Sequence, residues 1–295
     1  MSDPKRHHFV PQMLLRRFVD DAGYLYFVDR RNLQAGVQPA RPDNLLLERH
    51  LYSKILRDGT RDVTLERRYA KLEGIVNPLI DDITRCVLDG VIPKLNDAAK
   101  SAWDWFLYEQ WRRVPDMHNR VMPLADAETA IREAIDAFEN LHRKLTPDER
   151  QRSLTPQAIA EFRQNARVGA LSRASSQILN ALANKGLSFG VCEPRHSFIL
   201  GSSPVLKIAG TTSRLDDPTV EIWLPIHPNI MAATGGKKGD TKIVQLPAHS
   251  VRSFNLAVMR KSSMIASRSK KLVHSLVREG FGQTDLASSR GSNGV

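Results

Sequence analysis

The spacing of apolar residues changes at Gly186, and this change restricts which fold classes the chain can adopt. Over residues 63–184, apolar side chains recur three and four positions apart, which predicts helices. After Gly186, short β-branched and aromatic runs alternate with Pro and Gly, which predicts a meander or small antiparallel sheet. A strand predicted at residues 24–28 is expected to join this sheet. The sequence therefore predicts an α+β fold, with a helical middle packed on a small antiparallel sheet formed mainly by the C-terminal half.

We expect residues 1–280 to form a single interlocked domain, helical at about 60–184 and strand-rich at about 186–278. The Gly- and Ser-rich residues 281–295 predict a disordered tail. The predicted helices are residues 63–88 with a kink or break at Pro78, residues 96–113, residues 125–145, residues 155–184 and residues 249–261. For residues 125–145 and 155–184 the pattern predicts packing and no chemistry.

The segment at residues 7–18, HHFVPQMLLRRF, concentrates polar chemistry close to the start of the chain. Pro11 fits the first turn of a helix and biases the preceding residue towards an extended conformation. This predicts an extended arm at residues 7–10 that leads into a helix. Because chain ends usually fray, histidines and arginines here indicate a docked N-terminus. Neighbours on an extended arm point to opposite sides, and we expect His8 to be sensitive to substitution and His7 to be tolerant.

A pattern H-x-V-P-Q-x-x-L-R-x-F is carried by His8, Val10, Pro11, Gln12, Leu15, Arg16 or Arg17, and Phe18. It resembles the opening motif of DUF4238, a bacterial family of unknown function. The likeness continues, in order, at Leu65-Glu66 with Glu73, at residues 109–115, at residues 198–204 and at Asn255. The resemblance implies no assigned reaction. Such uncharacterised families are associated with antiviral defence, and a defence role is an expectation on that ground alone.

The chain departs from the family pattern at one position. The pattern resembles T-S-D-x-P, whereas this chain has Gly201-Ser202-Ser203-Pro204, so that Ser203 stands in place of the acid. If that acid is a metal ligand or a general base in the family, this chain lacks the group that its activity would need.

Composition favours a cytoplasmic protein with no membrane partner. The chain is 41% hydrophobic and 25% charged, as is usual for soluble proteins. No window reaches the roughly 20 apolar residues of a membrane span, and no apolar run near the start predicts a secretion signal. Cys86 and Cys192 lack metal-ligand spacing, and a reducing compartment fits them better than a disulfide does.

The charge distribution predicts a polyanionic partner. The net charge is +11, and residues 252–278 contain seven Lys or Arg residues and no Asp or Glu. Nucleic acid is the natural partner of such a segment, although a basic face that only aids solubility is an equally weighted alternative. The predicted nucleic-acid-binding residues are Arg16, Arg112, Arg260, Lys261, Arg268, Lys270 and Lys271.

Two kinds of site compete for the N-terminal histidines. The order of His8, Asn44 and His50 resembles that of metal-dependent ββα nucleases, with a divalent metal ion as cofactor. Against this, Asn44 and His50 are too close together, and the CxxC pairs often seen in such sites are absent. A buried, hydrogen-bonded histidine is the alternative.

The other hypothesis joins the family-like positions into one polar pocket. The predicted catalytic residues are His8, Gln12, Gln110, Arg113 and Asn255, with Arg16 and Ser203 beside them. Guanidinium groups grip phosphates bidentately and a histidine can serve as general acid or base, which suits a metal-free phosphodiesterase, an RNase or a nucleotide-binding site. The alternative is a buried network that positions the N-terminus. Glu66 and Glu73 share a helix face, for which an exposed, ion-paired role is preferred.

The motifs of ATPases, dehydrogenases and serine hydrolases are absent, which disfavours those classes. The sequence therefore predicts a nucleic-acid-binding protein, with a nuclease (a hydrolase) as the enzyme class. The alternative is a non-catalytic interaction or small-ligand-binding module with a basic surface.

Overall fold

The computed structural model describes residues 5–121 and 123–280, with long helices in the middle of the chain and short strands on either side. The α-helices of this part are α1 (Gln12–Leu15), α2 (Thr64–Leu88), α3 (Asp97–Arg112), α4 (Pro115–Val121), α5 (Leu124–Leu141), α6 (Pro147–Ser153), α7 (Pro156–Ser172), α8 (Ser176–Ala183), α9 (Ala248–Lys261) and α10 (Lys270–Gly280). Short 3₁₀ turns lie at Arg16–Phe18, Arg30–Ala35 and Pro42–Asn44. The predicted tail, residues 281–295, lies outside the described residues.

The strands lie in two sheets and two short ladders. They are β1 (Arg6–His8), β2 (Leu25–Asp29), β3 (Gln38–Ala40), β4 (Leu47–Arg49), β5 (Lys54–Ile55), β6 (Arg61–Asp62), β7 (Gly186–Val191), β8 (Leu200–Gly201), β9 (Leu206–Ile208), β10 (Glu221–His227), β11 (Ile230–Gly235), β12 (Thr241–Gln245) and β13 (Met264–Ser267). The larger sheet has the order β12-β7-β11-β10-β9, and the smaller one β3-β2-β13-β8. The ladders are β1–β4 and β5–β6.

The predicted meander is only partly right. Strands β7, β11, β10 and β9 pair antiparallel, but β12 returns to the far side of β7 and pairs with it in parallel. Every residue of β7 and β11 is buried, as expected for central strands covered on both faces. The predicted N-terminal strand exists as β2, but it joins β13 and β3 in the smaller sheet. Two small sheets therefore replace the single predicted one.

The bounds of two predicted helices are corrected. α2 is one continuous helix through Pro78, so the predicted division into two helices at this proline does not occur. Its buried residues Val76 and Ile80 flank the proline, and this packing holds the helix although one backbone hydrogen bond is missing. The predicted helix at 155–184 is divided into α7 and α8, because Ser175 starts a new helix by accepting a hydrogen bond from the Ile178 amide at 3.3 Å.

One large core joins the N-terminal segment, both sheets and most of the helices, while α5 packs on the start of α7 in a separate small cluster. Val10, Leu14, Leu15 and Phe18 are fully buried in the large core, so the segment that carries the opening motif is docked on it. The predicted α+β class is confirmed. Among the described helices, none has the length and apolar character needed to cross a membrane.

Candidate functional site

An open cleft of about 320 Å³ lies where β1, α1 and α2 meet. Pairing of β1 with β4 fixes the arm in register, with His8 opposite Leu47. The cleft is lined by Arg6, His8, Gln12, Asp43, Glu66 and Glu73. Four of these six residues, Arg6, Asp43 and the two glutamates, lay outside the residues predicted as catalytic.

The half-buried ring of His8 has two partners for one nitrogen. Its Nε2 lies 3.3 Å from the carbonyl oxygen of Pro42 and 3.5 Å from the amide nitrogen of Gln12. The Gln12 amide is oriented by Arg16, whose Nη2 donates to Gln12 Oε1 at 3.0 Å. A protonated Nε2 can donate to Pro42, and an unprotonated Nε2 can accept from Gln12. Burial lowers the pKa of His8, although the Pro42 carbonyl works in the opposite direction.

Glu66 and Glu73 are not on an exposed face, contrary to the sequence-based preference. Their side chains are only 20% and 25% exposed, and both line the cleft. Burial, helped by the negative charge of Glu73, raises the pKa of Glu66 to about 7, while Arg113 opposes this. Their seven-residue spacing did show one shared helix face. What it did not show was that this face packs against the N-terminal arm.

Gln110 and Arg113 form the buried wall behind the cleft. Gln110 donates to the Phe9 carbonyl at 2.8 Å and accepts from Arg113 Nη2 at 3.0 Å. Arg113 is 2% exposed and also donates to Glu73 Oε1 at 2.8 Å. Neither residue lines the cleft with His8: Gln110 contacts the arm at the carbonyl of Phe9, and Arg113 contacts the lining residue Glu73.

His7 is the fully buried member of the histidine pair. Its Nδ1 accepts a hydrogen bond from the Tyr52 amide at 2.9 Å, and its ring stacks on Tyr52 with 5.7 Å between the centroids. Because Nδ1 accepts this bond, the proton of the ring is on Nε2. His7 thus holds the arm in the core, and this burial argues against the expectation that it would tolerate substitution.

Asn255 and Ser203 lie away from the cleft. Asn255, on α9, accepts from the Ile199 amide at 3.1 Å and donates to the Ser197 carbonyl at 2.8 Å. Both ends of its amide are occupied in holding this loop. The Ser203 amide donates to Ser262 Oγ at 3.1 Å. Neither side chain lines the cleft with His8, so this part of the predicted pocket does not form.

The motif around Ser203 has a packing role. A Cβ on Gly201 would lie 2.3 Å from Ser262 Oγ, so only glycine allows α9 to come this close. Ser202 Oγ donates to Asp116 and accepts from the amides of Ser263 and Met264 at 2.9 and 3.2 Å. In this chain the segment therefore forms the junction between β8 and β13.

The predicted basic surface is partly neutralised by folding. Arg252 pairs with Glu279, Arg268 lies 3.7 Å from Asp21, and Lys261 donates to the Val205 carbonyl at 2.5 Å. Arg260, Lys270 and Lys271 are exposed. Arg16 is exposed beside the cleft, whereas the guanidinium of Arg112 is bound to Glu109 and to the C-terminal end of α7.

The ββα nuclease hypothesis finds no matching geometry. Asn44 Oδ1 accepts from Arg6 at 2.8 Å instead of orienting a histidine. In residues 5–121 and 123–280, no group of three or more His, Cys, Asp or Glu side chains is arranged to hold a metal ion. The predicted divalent metal therefore has no ligand set in this part of the chain.

Comparison with known proteins identifies the family. The chain belongs to the family described as "Protein of unknown function (DUF4238)", whose model matches residues 6–271. The match includes the cleft and the wall behind it. Neither the curated proteins nor the solved structures contain a match to this chain.

Proposed function

We propose that the cleft is an acid–base site that cleaves phosphodiester bonds in RNA. The observation that carries this proposal is the position of His8. Its Nε2 has a hydrogen-bond partner in both protonation states, the Pro42 carbonyl when it carries a proton and the Gln12 amide when it does not. His8 and Glu66 line the same cleft. Groups that change protonation state without losing their hydrogen bonds suit general acid–base catalysis.

The cleft also offers cations for a phosphate. Arg6 lines it, and the exposed Arg16 is tied to it through Gln12. Arg113 neutralises Glu73 from behind at 2.8 Å, which reduces the repulsion between this carboxylate and an anionic substrate. In this assignment Gln110 and Arg113 are positioning residues.

The chemistry uses the ribose 2′-hydroxyl as nucleophile. Neutral His8 takes the proton of this hydroxyl while the 2′-oxygen bonds to phosphorus. The bond from phosphorus to the 5′-oxygen breaks, and protonated Glu66 gives its proton to that leaving oxygen. The products are a 2′,3′-cyclic phosphate and a free 5′-hydroxyl, and solvent then restores the two protonation states.

The pKa directions predict a narrow pH optimum. Catalysis needs His8 without its proton and Glu66 with one. The pKa of His8 is lowered from 6.5 and that of Glu66 is raised to about 7. The rate should therefore rise as the pH passes the pKa of His8, and fall again above about pH 7 as Glu66 ionises.

The test is cleavage of a labelled single-stranded RNA and of the same sequence as DNA, between pH 4.5 and 9. We expect cleavage of RNA alone with a bell-shaped profile. His8→Ala and Glu66→Gln should each lower the rate by about 10²- to 10⁴-fold, the usual contribution of a general acid or base. In Glu66→Gln, which lacks the carboxyl proton donor, the fall in rate above about pH 7 should also disappear.

The matched control is His274→Ala, which removes an exposed histidine on α10 and should leave the rate unchanged. An active His8→Ala variant would overturn the assignment. Binding of RNA without cleavage would instead favour the non-catalytic module. Cleavage of DNA at the same rate would show that water, not the 2′-hydroxyl, is the nucleophile.

A further inference from the structure

A second cavity, of about 310 Å³, lies between α4 and α7 and shares no residue with the cleft. One face of α7 forms most of its wall. The small side chains of Ala160, Ala166 and Ala170 leave the space open on this face. The other lining residues are Arg112, Met117, His118, Arg163, Gln164, Arg167 and Leu171. This volume is at the lower end of the range of small-molecule sites, roughly 300–1,000 Å³.

The charged groups on this wall are all cationic. Arg163 and Arg167 are four residues apart on α7, where like charges repel each other. His118 faces them from α4, and no carboxylate is among the lining residues. The carboxylate that acts electrostatically on Arg167 is Glu48 on β4. Burial raises the pKa of Glu48 itself. A bound anion would relieve this concentration of positive charge.

Two polar atoms of the wall have no partner among the described residues. They are Nε2 of His118 and Nε of Arg167, and both are shielded from solvent. A buried polar group left without a hydrogen bond destabilises the folded state. Burial, together with Arg167, Arg112 and Arg163, lowers the pKa of His118 to about 4. Since solvent does not reach these two atoms, an anion in the cavity would act on the cations of the wall through its charge.

We propose that this cavity binds a phosphate monoester that carries a flat aromatic ring, such as a nucleoside 5′-monophosphate. Two guanidinium groups and an imidazole favour a group that carries close to two negative charges, as a phosphate monoester does. Met117 and Leu171 supply apolar surface for the organic part, and methionine sulfur packs well on aromatic rings. Arg112 contributes positive charge only, because its donors are already used.

The test is calorimetric titration with AMP, adenosine and inorganic phosphate. We expect AMP to bind at least tenfold more tightly than either fragment. Arg163→Gln and Arg167→Gln should each weaken AMP by tenfold or more. Ala160→Leu, at an exposed position on the wall, should block the cavity without changing a charge. Melting temperatures establish that each variant is folded.

A second readout is the NMR titration of His118, whose pKa should rise when AMP is bound. Two controls should bind as the wild type does: Arg173→Gln, an exposed arginine just beyond α7, and Glu66→Gln in the cleft. The second control separates this proposal from the proposed RNA cleavage. Absence of AMP binding, or equal binding by Ala160→Leu, would overturn the inference.

Discussion

At the scale of single residues, the difference between His7 and His8 comes from strand geometry. Successive side chains of β1 point to opposite faces, so one histidine enters the core and the other faces the cleft. The alternation itself is visible in the sequence. Which face becomes the interior is decided by Tyr52, whose ring and amide contact His7.

His7→Ala should destabilise the protein by about 1–3 kcal/mol, because the Tyr52 amide is left without its partner. His8→Ala should cost under about 1 kcal/mol, because its ring is only half-buried and its contacts are long. Urea unfolding of both variants measures this difference. Equal loss of stability in the two variants would contradict the orientation of β1.

At the scale of elements, the two consecutive arginines at the end of α3 contact different parts of the fold. Arg113 turns towards α2 and the cleft, and Arg112 turns towards α7. Arg112 donates to both oxygens of Glu109, at 2.9 and 2.8 Å. It also donates to the carbonyls of Ala170, Leu171 and Arg173. These carbonyls lie at the C-terminal end of α7, where backbone acceptors lack helical partners.

Arg112→Met should destabilise the protein by about 3–5 kcal/mol, the usual effect of removing one partner of a buried ion pair. Of the ion pairs among the described residues, Glu109, 2% exposed, would then keep the one with Arg68 at 3.3 Å. The matched control is Arg132→Met on α5, which breaks the exposed pair with Glu128 and should cost under about 1 kcal/mol. Thermal unfolding compares them, and an Arg112 variant as stable as the control would refute the capping role.

At the scale of the whole molecule, the C-terminal basic segment forms a face because α10 is amphipathic. Val273 and Leu276 are buried against the smaller sheet and α9, whereas Lys270, Lys271 and Arg278 face outwards. Folding brings Asp21 and Glu279 to two of the arginines. The exposed charge is thus smaller than the sequence count suggests.

Reversing Arg260, Lys270 and Lys271 to Glu should weaken RNA binding and flatten its dependence on salt, because fewer counterions are released. Lys261 is left unchanged since its ammonium group holds the Val205 carbonyl. Fluorescence anisotropy at 50 and 200 mM salt measures both effects.

The matched control reverses the exposed residues Lys71, Lys94 and Arg152, which changes the net charge by the same amount. Equal weakening by the two triple variants would show that total charge, not this face, governs binding. Unchanged affinity in the first variant would leave the segment with a solubilising role.

The sequence by itself determined the features that depend on local chemistry. Apolar spacing and turn residues predicted the α+β class, and Asn96 marked the start of α3, where its side chain accepts from the Ala99 amide at 2.9 Å. The proline and the apolar residues of the opening motif predicted the docked arm. These features follow from backbone geometry and from burial within one or two turns.

Only the tertiary structure decided which polar groups meet. Glu66 lies in the cleft because its face of α2 is turned towards β1. Asn255 lies outside the predicted pocket because its side chain holds the loop at Ser197. The cavity beside α7 had no sequence signal, since alanines next to arginines are ordinary on a helix surface. Each outcome depends on contacts between residues far apart in the chain. Burial and pairing in these contacts determine the free energy of placing each polar or charged group inside the fold.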